Sequence, residues 1–354
     1  MRATVVVPTF DHGATLERSV PTALAQTVSD IEVFVVGDGV PEVTRDIMAR
    51  FMAEDRRVRF FDNPKGPGNG EVHRAAALRE ARGRIVAYLS DDDLWMPEHL
   101  EELDALLADA DFAHAYPIRI EPDGTIADWN VDLSLGWYRR AMLEGGTNFV
   151  PLACGGHTLD LYRRLPHGWR ARPEGMWSDL YMWQQILSVP GIRAVSGTRP
   201  TVLHLPSSLR LGWPVERRLQ ELDRWVARIG EPGLREDLYL AVAARTARGQ
   251  ARNWEALQEH RAALEALTED RDSARVAEGR LGMRQAELVD QLDRLARDRE
   301  EERLSLEGQL TGARRELAEV TGTRTWRWRG RLLRTPLGGL ARRRGAGRSR
   351  PGAS

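Results

Sequence analysis

Four short apolar runs rich in β-branched residues punctuate the start of the chain: "ATVVV" at 3–7, "IEVFVV" at 31–36, "VRFF" at 58–61 and "IVAYL" at 85–89. The segments between them carry apolar side chains at helical spacing, with Leu16, Val20 and Leu24, then Ile47 and Phe51, then Val72, Ala76 and Leu78. Strands alternating with helices predict an α/β fold with a mainly parallel central sheet. In such sheets ligands bind beyond the carboxyl ends of the strands, near a topological switch point. The residues after each run are therefore candidates for function: Pro8, Thr9, Phe10 and Asp11 after the first, Gly37, Asp38 and Gly39 after the second, and Ser90, Asp91, Asp92 and Asp93 after the fourth.

With 354 residues, 42% hydrophobic and 29% charged, the chain is long enough for one large globular domain and an appendage. The single cysteine, Cys154, permits neither an intramolecular disulfide nor a cysteine-based zinc site. The apolar run in "MRATVVVPTF" is too short for a signal peptide, and no window approaches eighteen uninterrupted apolar residues. A cytoplasmic location is expected, with any membrane contact peripheral at the inner face. The formal charge of −1 conceals a division, because residues 322–354 hold ten arginines and no acid, leaving about −11 on the remainder. That tail interleaves Trp326, Trp328, Leu332, Leu333, Leu337 and Leu340 with arginines, a composition suited to an anionic membrane surface. A protein partner or a plain disordered tail is the alternative, and nucleic acid is not an expected partner. Lys65, the sole lysine among 51 basic residues, reads as codon bias rather than chemistry.

Beyond residue 110, "DFAHAYPIRIEPDGTIADW" predicts two strands around an Asp123-Gly124 turn. A loop-rich stretch follows, in which Trp129, Trp137, Trp169 and Trp177 serve either as core or as walls of a substrate cleft. Leu281, Leu288 and Leu295 recur at seven-residue spacing with Leu292 at the complementary position, and Leu306, Leu310 and Leu317 resume the pattern. This predicts a coiled coil, with a stutter or bend between Leu295 and Leu306, and homo-oligomers through it; one long solvated helix packed on the body is the alternative. The expected organisation is an α/β domain over 1–215, a helical connector over 216–251, the coiled coil over 252–321 and the basic tail over 322–354.

Adjacent carboxylates repel unless a cation neutralises them. A divalent metal accounts for Asp91, Asp92 and Asp93, and hard oxygen donors suit Mg²⁺ or Mn²⁺ beside a nucleotide diphosphate. The alternative is a helix start, with Asp93 as N-cap and Glu98 in the first turn. Asp38, after its own strand, suits hydrogen bonding to a base or ribose, or a simple turn. "GPGNGEVH" lacks the spacing of a dinucleotide fingerprint and the Lys-Ser/Thr of a P-loop, and reads as a loop near the diphosphate. No H-E-x-x-H or G-x-S-x-G occurs, which removes metalloprotease and α/β-hydrolase chemistry.

"TVVVPTFDHGATLERSVPTALAQTVSDIEVFVVGDGV", followed by "HRAAALREARGRIVAYLSDDDLWMPEHL", resembles the family 2 inverting glycosyltransferases with a GT-A fold, from about residue 3 to 110 and more loosely to about 205. The resemblance implies transfer of a sugar from a nucleotide-diphosphate donor to a hydroxyl acceptor, with inversion and with a divalent metal. It places Pro8, Thr9, Phe10, Asp38, Arg74, Asp91 and Asp92 at the donor, with Asp92 as the direct metal ligand. Asp93 beside it and the late His204 complete the expected metal set. Gly37, Ser90 and Ala75 depart from the family's usual residues, which bears on donor preference. Asp179 in "GMWSDLYMW" resembles the catalytic carboxylate at a helix N-terminus, the general base that an inverting displacement needs; a helix cap is its other reading. His157, after two glycines, resembles an acceptor-site histidine. Trp-Arg tails of this kind follow coiled coils in some bacterial surface-polysaccharide enzymes, which suits a lipid-linked acceptor. A nucleotidyltransferase is the rival reaction, although "PTFDHGATLE" is not a basic phosphate loop; a non-catalytic nucleotide-sugar-binding scaffold is the rival class.

Overall fold

The computed structural model describes residues 1–128, 131–231, 233–269 and 278–322. The basic tail, with Trp326 and Trp328, and Trp129 lie outside the described residues. The chain forms two compact units, 1–305 and 306–354.

In the first unit, β1 (Ala3–Thr9), α1 (Leu16–Leu24), β2 (Ile31–Asp38), α2 (Glu42–Glu54), β3 (Val58–Asn63), α3 (Glu71–Leu78) and β4 (Ile85–Tyr88) alternate as the apolar runs predict. Then come β5 (Leu94–Trp95), α4 (His99–Leu106), β6 (Phe112–His114), β7 (Ile118–Ile120), β8 (Ile126–Asp128), α5 (Gly136–Leu143), β9 (Gly155–Thr158), α6 (Leu159–Arg164), α7 (Ser178–Leu187), β10 (Ala194–Ser196) and β11 (Val202–Leu203). The seven-stranded sheet has the order β10-β6-β9-β4-β1-β2-β3, parallel except for β9, which runs antiparallel to both β4 and β6. This is a GT-A fold. Chain order reverses between β1 and β4, so the carboxyl ends of β1, β2 and β4 open onto the switch point.

Both faces of the sheet are covered, so β1 reads as a continuous apolar run rather than an alternating one. Val5 and Val7 pack with Leu16 and Val20 of α1, Ile47 and Met48 of α2, and Leu100 and Leu103 of α4. Val6 points the other way, toward Ala77 and Leu78 of α3, Leu161 of α6 and Trp183 of α7. β7 and β8 form the expected hairpin, with Gly124 at φ +85° in its turn.

α8 (Val215–Ile229) and the start of α9 (Leu234–Glu269) do not behave as a detached connector. Leu222, Trp225, Leu234 and Leu238 complete a third core with Leu94, Tyr116, Ile118 and Leu203. A boundary at 215 would cut through that core. α10 (Glu278–Gly322) begins in this unit, where the Arg299 guanidinium lies 4.2 Å from the ring centroid of Trp254 on α9. Leu288 is buried, whereas Leu310 and Leu317, in the second unit, are each more than half exposed. No described helix is long and apolar enough to cross a membrane.

His157, expected at the acceptor, sits instead inside β9 with no exposure. Its Nε2 lies 2.7 Å from the Tyr88 hydroxyl and its ring stacks on Tyr162. The two preceding glycines admit neighbouring side chains rather than a ligand: a Cβ on Gly155 would fall 2.8 Å from Trp183. Burial holds His157 and His114 neutral, down to about 4, and His99 down to about 3. In the unfolded chain these rings take up protons below about pH 6.5, so stability present above that pH is lost as pH falls toward 4, by about 1.4 kcal/mol per unit for each ring. Thermal melts across this window should show the midpoint falling, and His157→Gln should reduce the slope by one proton; an unchanged slope would contradict the buried neutral ring.

Candidate active site

A cleft of about 830 Å³ opens over the switch point, lined by Pro8, Thr9, Phe10, Asp38, Arg74, Asp91, Asp92, Asp179 and His204 among others. The donor residues, the base and one histidine expected from sequence are thus brought together; Asp93 and His157 are not among the lining residues.

The β2 end sets one wall. Asp38 is buried and accepts from Lys65 Nζ at 2.6 Å and from the Gly66 amide at 2.6 Å. Lys65 also donates to the Gly66 and Gly68 carbonyls and lies 5.2 Å from the Phe10 ring centroid. The lone lysine is thus a specific part of the site. Asp38 anchors the 65–70 loop, and Gly70 at φ +72° lets that loop approach, since a Cβ there would lie 2.9 Å from Asp38 Cβ.

α3 supplies Arg74, 3% exposed, with its guanidinium 4.0 Å above Trp169. Its NH2 donates to the Asn69 carbonyl at 3.1 Å and to Ser178 Oγ at 2.9 Å, and Ser178 donates to Glu71 at 2.7 Å. Arg74 Nε and Thr9 Oγ1 are buried without a protein partner. Ser178 opens α7, and Asp179 follows it in the first turn, accepting from the Leu180 amide at 2.9 Å. Burial raises the Asp179 carboxyl above its ordinary range, partly countered by its hydrogen bonds, which makes its anion a better proton acceptor.

The three consecutive carboxylates after β4 have separate fates. Asp93 turns inward with no exposure; His204 Nδ1 lies 3.0 Å from both its oxygens and the Leu205 amide donates at 2.7 Å. This corrects the expectation of Asp93 as a metal ligand: it holds His204, whose Nδ1 is thereby engaged. The pairing of β11 with β5 makes the contact possible, with Leu203 opposite Leu94. Asp91 faces His12 Nδ1 at 3.6 Å. Asp92 accepts from Ser207 and lies 3.7 Å from Arg218 NH1. Burial, then the charges of Asp93 and Asp91, push its carboxyl up to about 7.

His12, Asp91 and Asp92 each offer a ligand atom, all within 4.8 Å of one another. One imidazole and two carboxylates fit Mn²⁺ or Mg²⁺ with water or phosphate completing the shell. Sequence reasoning stopped at Asp11 and missed His12. The available signal was its place at the end of a strand that neighbours β4. Ser207 and Arg218 carried no local signal.

Residues 4–162 match the family described as glycosyl transferase family 2. This stretch is a family 2 glycosyltransferase domain. The chain is 32% identical over 105 residues to an uncharacterised glycosyltransferase of Nostoc, covering 29% of this chain and 32% of that protein. It is 26% identical over 127 residues to the GalNAc(5)-diNAcBac-PP-undecaprenol beta-1,3-glucosyltransferase of Campylobacter jejuni, covering 36% and 41% respectively. It thus spans about a third to two fifths of the length of these relatives. Among solved structures it is similar to S. aureus TarS 1–349 in complex with UDP-GlcNAc, with a TM-score of 0.47, 15% identity and coverage of 65% of this chain and 66% of that one. The glycosyltransferase domain carries both acid-bearing strand ends and stops short of Asp179, His204 and Arg218.

Because Asp92 is held near neutrality by burial and by like charge, its ionisation costs stability as pH rises from about 4 to 7. Asp92→Asn should therefore raise the melting temperature in EDTA by about 2–4 °C at pH 8, on the order of 1 kcal/mol, and by less at pH 5. Equal or negative shifts at both pH values would show that the cluster is not strained.

Proposed function

We propose that this protein transfers a sugar from a nucleotide-diphosphate donor to a hydroxyl acceptor with inversion at the anomeric carbon. The observation that carries this reading is the single cleft in which Thr9, Arg74 and the acid cluster at the β4 end meet Asp179. Thr9, Phe10 and Asp38 line the side suited to the nucleoside. Arg74 suits the phosphates, where a planar, permanently charged fork binds anionic oxygens.

Asp92, Asp91 and His12 would hold the divalent ion, with His204 facing the same cleft. When bound, it would offset charge on the departing diphosphate. Asp179 takes the proton of the acceptor hydroxyl as its oxygen bonds to the anomeric carbon. The bond from that carbon to the nucleoside diphosphate breaks with its electron pair on the leaving phosphate oxygen. Ser178 links Asp179 to the donor wall through Arg74 and Glu71, so base and donor are positioned by one hydrogen-bonded assembly.

The acceptor side rests on the relatives. One is named for a glucosyltransferase acting on a diphosphoundecaprenol-linked glycan, another for UDP-Glc:alpha-D-GlcNAc-diphosphoundecaprenol beta-1,3-glucosyltransferase. A lipid-linked glycan in cell-surface polysaccharide synthesis is the acceptor class this favours. The exposed Leu310 and Leu317 suit self-association through α10, and the arginine-rich composition of residues 322–354 suits an anionic membrane at the inner face.

Asp179→Asn is expected to lower turnover by about 10²–10⁴-fold while leaving nucleotide affinity within a few-fold. Product formation by proton NMR, with the anomeric coupling compared between donor and product, checks both the loss and the inversion. Retained turnover in a folded Asp179→Asn protein would remove Asp179 from the mechanism.

A further inference from the structure

Arg218 lies on α8, outside the family-matched residues 4–162, and nevertheless reaches the acid cluster. α8 is tied down in the turn and a half that follows it. Arg18 donates to the two oxygens of Asp223 at 2.8 and 3.2 Å, and the buried Arg210 guanidinium donates to Glu221 at 2.5 and 2.6 Å. Leu222 and Trp225 bury the adjoining face. Arg218 is thereby delivered into the cluster with a side chain only 11% exposed. Its NH1 lies 3.1 Å from His12 Nε2, donates to Ser207 Oγ at 3.2 Å and stands 3.7 Å from Asp92 Oδ2; its NH2 donates to the Arg210 carbonyl at 3.2 Å.

A guanidinium has only donors and does not lose its charge. When the His12 ring is neutral, Nε2 accepts from Arg218 and the ring proton sits on Nδ1, facing Asp91; Nε2 also lies 3.6 Å from Asp11. A divalent ion needs a lone pair of the same ring. Binding at Nδ1 would send the ring proton to Nε2, donor against donor with Arg218. Binding at Nε2 would take Arg218's place outright. In either case ion and guanidinium also compete for Asp92.

Resting on the nucleotide-sugar reading of the cleft, we propose that Arg218 is the resident cation of the metal-free site and that it and a divalent ion exclude each other at His12 and Asp92. The diphosphate of a donor offers oxygens both to an ion and to a displaced guanidinium, so ion and nucleotide load together rather than independently. α8 thus couples metal entry to donor arrival, and Arg218 is a positioning residue whose effect is read in binding.

The test is calorimetric titration of Mn²⁺ into the full chain, with and without UDP or GDP, for wild type, Arg218→Ala and the bulkier Arg218→Gln, each checked by thermal melting. Without nucleotide, both variants should bind Mn²⁺ at least tenfold more tightly than wild type. The factor by which nucleotide improves Mn²⁺ affinity should shrink correspondingly. Unchanged or weaker Mn²⁺ binding in a folded variant overturns the proposal. A wild type that binds Mn²⁺ and nucleotide together, with variants that behave identically, overturns this inference alone. A wild type that binds neither, singly or together, overturns the nucleotide-sugar reading and this inference with it.

Discussion

Repulsion among Asp91, Asp92 and Asp93 is the constraint around which the rest of the site is arranged. Three successive carboxylates at a buried strand end would be prohibitive unless each found its own compensation. Asp93 finds it in His204 and the Leu205 amide, Asp91 faces His12, and Asp92 finds it only in part in Ser207 and Arg218, its carboxyl still pushed up to about 7. These partners come from distant parts of the chain. The β11–β5 pairing, the first strand end, the segment after β11 and α8 all meet where the charge is. The short β11 strand, two residues long, is thus best understood through the carboxylate it helps to bury.

A second assembly stands across the cleft. Glu71, Ser178 and Arg74 join the start of α3 to the start of α7, fixing a carboxylate and a guanidinium against the packing of Trp169. One wall is held by charge, the other by hydrogen bonds on an aromatic platform. Both rest on a sheet buried on its two faces, and that rigidity lets side chains on separate elements keep working distances. Thr9 Oγ1 and Arg74 Nε, buried without a partner, are a cost left within this arrangement.

Much of this was legible in the sequence because it is local. The runs at 3–7, 31–36, 58–61 and 85–89 became β1 to β4, and the residues after β1, β2 and β4 line the cleft as the strand-end rule required. What was not legible depends on long-range pairing. β9 inserts antiparallel between β4 and β6, which takes His157 into the core, and no local pattern announces that register. Asp93 was grouped with its neighbours because adjacency in sequence suggests a shared role, whereas the turn into β5 sends it inward. Arg218 lies 206 residues from His12 in a segment that reads as a helical connector. Lys65 passed as composition until Asp38 was found 2.6 Å away.

The central claim is that the cleft at the ends of β1, β2 and β4 takes a nucleotide diphosphate with a divalent ion. Its most direct measurement is titration of UDP, GDP and dTDP into the purified chain, with Mn²⁺ and with EDTA, comparing wild type with Asp92→Ala. The account predicts binding of one nucleotide that depends on Mn²⁺ and is lost in the variant, and the nucleotide that binds names the donor base. Folded protein that binds none of the three under either condition would contradict it.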